Sequence, residues 1–302
     1  MRFGIALKLG LLLAGVSIVA SGLTGFYVYQ ASRDLLVQSA KAEMLTTTMV
    51  LARRISLSRT EISRNLQVLA SNPMALASLR SAVPAQDDPL ATLFESVMRA
   101  NPSYFQIRLI SASDNGLERV RVDRDGDNLL RVQGDDLQEK GHFSYLSGTL
   151  KLPPGSTYLS RIVINHERGA HAGLEQPSAI LAMPVADTNG IALGALVINV
   201  DLNNIFATLA ADLPKGFQLF FANNNGDYLI HPDPSQTFGF DKGRRFLVQD
   251  EFPETLGLLE GKYRHAQVEA SGGRYSDAPV VATFVSQFVK VNSAENNFVL
   301  GL

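Results

Sequence analysis

The residue types best suited to recognition chemistry lie in "YFQIRLI". Strand alternation would place Tyr104, Gln106 and Arg108 on one face and Phe105, Ile107 and Leu109 on the other. Two amide atoms, a phenol and a guanidinium on a shared face can orient a small polar ligand, and an arginine can clamp a carboxylate through two parallel hydrogen bonds. The alternative for Arg108 is an ion pair within the protein. Other polar groupings carry less. In "HERGAH", His166 and His171 are five apart beside Gly169, whereas a zinc-protease helix needs its histidines four apart on one face. Asp123, Asp125 and Asp127 alternate in "DRDGD", but without the closing glutamate of a calcium loop, so a solvated turn is the simpler reading. "GIALGA" has two glycines inside an apolar strand, not a dinucleotide fingerprint. With no P-loop, G-x-S-x-G elbow or kinase motif, the expectation is a non-enzymatic chain with no cofactor, no metal and no catalytic residue.

Bulk properties narrow the class. The 302 residues are 46% hydrophobic and 19% charged with a net charge of -2, so nothing points to nucleic acid, whose phosphate backbone usually needs a basic face. The absence of cysteine excludes disulfides and thiolate chemistry. "LGLLLAGVSIVASGLTGFYVYQAS" runs from Leu9 to Ser32 without a charge. At about 1.5 Å per residue it exceeds the roughly 30 Å of bilayer hydrocarbon. Arg2 and Lys8 precede it and Phe26, Tyr27 and Tyr29 close it, the arrangement of a membrane anchor with a cytoplasmic N-terminus. A cleaved signal peptide is the competing reading, and the run is long with no clean A-x-A site after it.

Beyond the anchor, Met44, Leu51, Ile55, Ile62, Leu66 and Leu69 form one stripe of a long amphipathic helix. That stripe packs either on the protein's own domains or on the same helix of a second subunit. After Pro102 the texture becomes period-two. Strands are expected at "YFQIRLI", "LERVRV", "STYLSRIVIN" (156–165), "SAILAMPVA", "IALGALVINV", "FQLFFA", "DYLI", "PVVATFVSQFVKV" and "NNFVLGL", with short helices at "DLNNIFATLAADL" and "FPETLGLLE". Strand, Asn-Gly turn and strand occur twice, at Gly116 and at Gly226, which points to two small antiparallel sheets in tandem. Each needs a cover for its apolar face, and the long helix serves both. The expected class is α+β: a transmembrane helix (1–32), a long helix and connector (33–84), and two PAS-like sheet modules at 85–213 and 214–302.

The ordered segments "YFQIRLISASDNGLERVRVD", "LQEKGHFSYLSGTL", "TYLSRIVINHERG", "AMPVADTNGIALGALVINVDLNNIF" and "NNGDYLIHPDPSQTFGF" resemble the double Cache sensor regions of bacterial transmembrane receptors, closest to the histidine-kinase type. The resemblance spans residues 33–302. It implies a periplasmic sensor region anchored in the inner membrane, homodimeric through the long helix, with a second membrane helix and an output module beyond Leu302. It also implies a small-molecule ligand, a carboxylate or an amine, held in the membrane-distal module. In such modules "LQEKGHFSY" occupies the roof over the ligand, which makes Lys140, His142 and Tyr145 candidates beside Tyr104, Gln106 and Arg108. "INHERG" lies where amino-acid-binding relatives carry an acidic group for an amine, so Asn165 or Glu167 takes that place, preceded by Tyr158 and Arg161. Those relatives also use an arginine next to a Trp-Tyr pair, and this chain has no tryptophan. A structural or protein-binding module without a small ligand is the alternative.

Overall fold

The computed structural model describes residues 4–81, 89–165, 176–270, 280–288 and 297–302. Helix α1 runs unbroken from Ile5–Ala70. Its first part is apolar and exposed, long enough to cross a membrane. Its second part is the amphipathic stripe, and that stripe is divided between two sheets. Met44, Leu51 and Ala52 pack with Phe221, Leu229 and Leu300, whereas Ile62, Leu66 and Leu69 pack with Ile107, Leu109 and Ile198. From Met44 to Leu69 the stripe spans roughly 40 Å, enough for two small modules side by side. Pro73 stops the helix, since it cannot donate to the preceding turn. Asn72 then caps α2 (Pro73–Arg80) through Met74 N–H at 2.9 Å.

The first sheet, here the distal one, is antiparallel and packs on the end of α1 far from its apolar span. It comprises β1 (Tyr104–Ser111), β2 (Glu118–Asp125), β3 (Asn128–Val132), β4 (Tyr158–Leu159), β5 (Val163–Ile164), β6 (Pro177–Ala186) and β7 (Ala192–Asp201), in the order β3-β2-β1-β7-β6-β4 with β5 also on β6. One face is covered by α1, α2 and α3 (Pro89–Ala100), which contributes Leu90, Phe94 and Met98. The other face is roofed by α4 (Ser144–Leu150), whose Tyr145 and Leu146 pack on Ile110, Ala182, Ala195 and Val197. The expected strand at 156–165 is two short pieces. Between them Ser160 Oγ takes the Ile180 N–H at 2.8 Å, so a side chain interrupts the ladder. Helix α5 (Asn203–Ala211) leads to the second sheet.

That sheet comprises β8 (Phe220–Ala222), β9 (Tyr228–Ile230), β10 (His265–Ala270), β11 (Val280–Phe288) and β12 (Asn297–Gly301), ordered β10-β11-β12-β8-β9. Its far face carries Phe220, Tyr228 and Phe284, roofed by short helical turns bearing Val248, Phe252 and Leu258.

The repeated Asn-Gly turn has a common structural role. Gly116 and Gly226 both have positive φ, +72° and +83°. In the distal sheet Lys140 N–H donates to Gly116 O (2.8 Å) and Glu118 N–H to Gln138 O (3.0 Å). In the proximal sheet Val248 N–H donates to Gly226 O (2.8 Å) and Tyr228 N–H to Phe246 O (3.3 Å). Each roof is therefore hung on its turn by an equivalent pair of backbone bonds. A Cβ on Gly116 would lie 2.6 Å from Gly141 N, whereas one on Gly126, also at positive φ, meets nothing. Gly126→Ala should cost about 1 kcal/mol of backbone strain. Gly116→Ala should lower the thermal unfolding midpoint at least twice as far; equal losses would remove the hanging role.

Candidate functional site

Under the distal roof lies a connected set of buried polar groups. Two irregularities in strand register select which residues reach it. The β1–β7 ladder shifts between Tyr104 and Gln106, and the β1–β2 ladder shifts between Leu109 and Ile110. An extra residue reverses the side-chain alternation. Gln106 and Arg108 thus face the roof opposite Asp123 and Arg121, and Glu118 joins them beyond the second shift.

Arg108 is fully buried. Its Nη1 donates to Glu118 Oε1 (3.3 Å), its Nη2 to Asn199 Oδ1 (2.9 Å), and its guanidinium lies 5.5 Å from the centre of the Tyr145 ring. Arg121 donates through Nε and Nη2 to the two oxygens of Asp123 (2.8 and 2.6 Å) and through Nη1 to Glu118 Oε2 (3.3 Å). Gln138 N–H reaches Glu118 Oε2 (3.1 Å), and Lys140 Nζ donates to Gln138 Oε1 (2.9 Å) while standing 5.0 Å from the Phe143 ring. Burial opposes the Arg121 charge, but the bond to Asp123 and the charges of Asp123 and Glu118 outweigh it and hold its pKa above the ordinary value, with Arg108 pulling the other way.

Two properties of this set bear on chemistry. Arg108, Arg121 and Lys140 gather here with Glu118 and Asp123, all buried. Gln106 Nε2 donates to Asp123 Oδ1 (2.8 Å), which fixes the amide orientation and leaves the buried Oε1 without a hydrogen-bond partner. Among the described residues, the site brings cationic side chains together with an open acceptor.

The other expected positions divide. Tyr104 is corrected: the β1 irregularity turns it to the spine side, where its hydroxyl accepts from Asn65 Nδ2 of α1 at 2.8 Å. Burial raises its pKa, with the Asn65 bond opposing. Tyr145 lies over Arg108, and Tyr158 packs at the edge of the same cluster. His142 stacks on Phe143 with ring centres 4.1 Å apart, exposed on the outer rim of the roof. Arg161 lies in a cleft facing the proximal sheet. Asn165 is buried at the end of β5, and its N–H donates to Gln176 O. Glu167, with His166 and His171, lies outside the described residues. Glu118, Arg121, Asp123 and Asn199 were not anticipated from the sequence. Their signal, charges alternating with Val120 and Val122, is also that of an ordinary solvated strand face.

A helix that leaves an apolar span and backs two tandem antiparallel sheets, the outer one roofed over buried polar groups, defines the double Cache class of bacterial sensor region. Residues 38–264 match the family described as bacterial histidine kinase, sensor domain. The chain belongs to that family, whose members sense rather than catalyse. Among solved structures, it is similar to a domain assigned to the sensory box/GGDEF family from Vibrio parahaemolyticus, at 19% identity, TM-score 0.67, with 88% of this chain and 96% of that chain covered. It is similar to an extracellular domain assigned to the histidine kinase vpHK1S-Z8, at 19% identity, TM-score 0.68, with coverage of 88% and 92%. It also resembles the ligand-binding domain of the Campylobacter jejuni chemoreceptor Tlp3 in complex with L-norvaline, at 10% identity, TM-score 0.59, with coverage of 88% and 91%. No curated protein matches the chain.

Glu118 bridges both arginines. Glu118→Gln should destabilise the protein by about 3–5 kcal/mol in denaturant unfolding, because two buried cations lose their shared counter-charge. A loss below about 1 kcal/mol would mean that water reaches the set freely.

Proposed function

We propose that the chain is the extracytoplasmic ligand-sensing region of a receptor anchored in the bacterial inner membrane. Its ligand is a small carboxylate that also carries a hydrogen-bond donor, an amino or hydroxy acid, bound between the distal sheet and its roof. The carrying observation is the unsatisfied buried Gln106 Oε1, set among the cationic side chains of Arg108, Arg121 and Lys140. A donor on the ligand would fill the acceptor, and a carboxylate suits the cationic surroundings. The C. jejuni relative bound to L-norvaline supports this ligand class. The described residues contain neither tryptophan nor the Trp-Tyr pair of amino-acid-binding relatives, so Tyr145, Lys140 and Arg108 would do the recognising here.

In this reading the roof reports occupancy. Ligand that binds one roof position better than another shifts the population between them. The shift reaches α1 through β1, which carries Arg108 on one face and Tyr104, bonded to Asn65, on the other. Exposed Leu36, Val50 and Leu57 fall on one outer line of α1, and a second copy of the chain would cover them.

A thermal-shift screen of the full chain against amino and hydroxy acids tests the proposal. At least one compound should raise the midpoint, and Gln106→Met, which keeps both Arg121–Asp123 bonds, should weaken it about tenfold or more. No responding compound, or a hit indifferent to Gln106→Met, would favour a module without a small ligand. Arg108→Ala is the poorer probe, since it also removes one of Glu118's two arginine partners.

A further inference from the structure

A second cavity lies where α1 meets both sheets. It measures about 80 Å3, with Ile55, Arg59 and Ile62 on the helix side, Leu181 on the distal sheet, and Phe221 and Leu300 on the proximal one. The wall is mostly apolar, and among the described residues no acidic side chain lines it. Arg59 is the exception to that wall. Its Nε is buried and has no hydrogen-bond partner among the described residues. Burial holds its pKa below the ordinary arginine value, and no acidic neighbour acts against that. Arg108 and Arg121, the arginines under the distal roof, both have carboxylate partners. Arg59 therefore lacks the counter-charge that buried cations ordinarily find.

Size and position restrict the occupant. An apolar cavity of about 150 Å3 holds benzene, so about half that space admits only a short chain. Ile55 stands roughly 35 Å along α1 from Ser32, where the apolar span ends, so the occupant is a soluble molecule and not a bilayer acyl chain. We infer that this cavity binds a short-chain aliphatic monocarboxylate, its carboxylate on Arg59 and its hydrocarbon tail on Leu181, Phe221 and Leu300. The anion supplies the missing partner of the guanidinium, and the tail fills the apolar space. The site is separate from the roofed distal face. Leu181 belongs to the spine-side core with Ile62, whereas Tyr145 packs on the opposite face of the same sheet. An occupant would touch the spine and both sheets at once, and so bear on how the two modules seat against α1.

The test is calorimetric titration of butyrate into the full chain in lipid nanodiscs, with empty nanodiscs as blank. Saturable binding at one per chain is expected, with 1-butanol (no charge) and inorganic phosphate (no chain) about tenfold weaker or more. Arg59→Met keeps the apolar stem and removes the charge. It should abolish saturable binding and leave the thermal midpoint of the ligand-free protein unchanged or raised, since the buried Nε has no bond to lose. Ala179→Val, which narrows the cavity from β6, should weaken butyrate about tenfold or more. Gln106→Met should bind butyrate as the parent does. No saturable heat above the blank overturns the inference, as does binding that survives Arg59→Met or Ala179→Val, or equal binding of 1-butanol or phosphate. A lowered midpoint in Arg59→Met would make Arg59 a group that holds the fold, and loss in Gln106→Met would move butyrate to the distal face; either result overturns it too. Butyrate lacks the hydrogen-bond donor that the distal ligand carries, so the amino- and hydroxy-acid screen can fail without this site failing, and the reverse.

Discussion

One stripe of side chains on one helix sets the rest of this structure. Met44 to Leu69 present a single apolar line, and each sheet buries its inner face against half of it. Neither sheet is large enough to close on itself, and an open sheet needs a layer over each apolar face. The spine supplies one layer to both. The roofs supply the other, and they differ: the proximal roof sets Phe252 on the rings of Phe220 and Phe284 with Glu251 bonded to Tyr228 beside them, whereas the distal roof covers Arg108, Arg121 and Glu118. Burying five charges costs several kcal/mol per ion before their mutual attraction is counted. The sister module meets the same architectural need largely with aromatic packing.

The fold was largely legible because its signals are strong and local. The uncharged run to Ser32, the stripe after it, and the long strands of β6 and β7 carry clear periods. The two Asn-Gly turns disclosed the tandem arrangement, although the reason for them, a roof hung on each turn, depends on contacts between residues about twenty positions apart. The short helix α4 and the edge strands β3 and β10 carry weaker periods and were not read as elements.

The site was legible only in part. Gln106, Arg108, Lys140 and Tyr145 come together as expected. Tyr104 does not, because a one-residue irregularity in β1 reverses its face and leaves no mark in residue type. The acidic partners on β2 were missed because alternating charge on a strand is normally a wet surface; here both faces of β2 are covered, one by helices and one by the roof. Arg161 was assigned to the distal ligand face, but the broken strand around Ser160 delivers it to the cleft with the proximal module.

The irregularity that moves Tyr104 has a mechanical corollary. Within five residues β1 grips the polar chamber through Arg108 and the backbone rod through the Tyr104–Asn65 contact. Sliding that strand along its own axis would break the phenol–amide link unless the rod travelled with it. A strand built with strict alternation would have both handles on one side and nothing to pull.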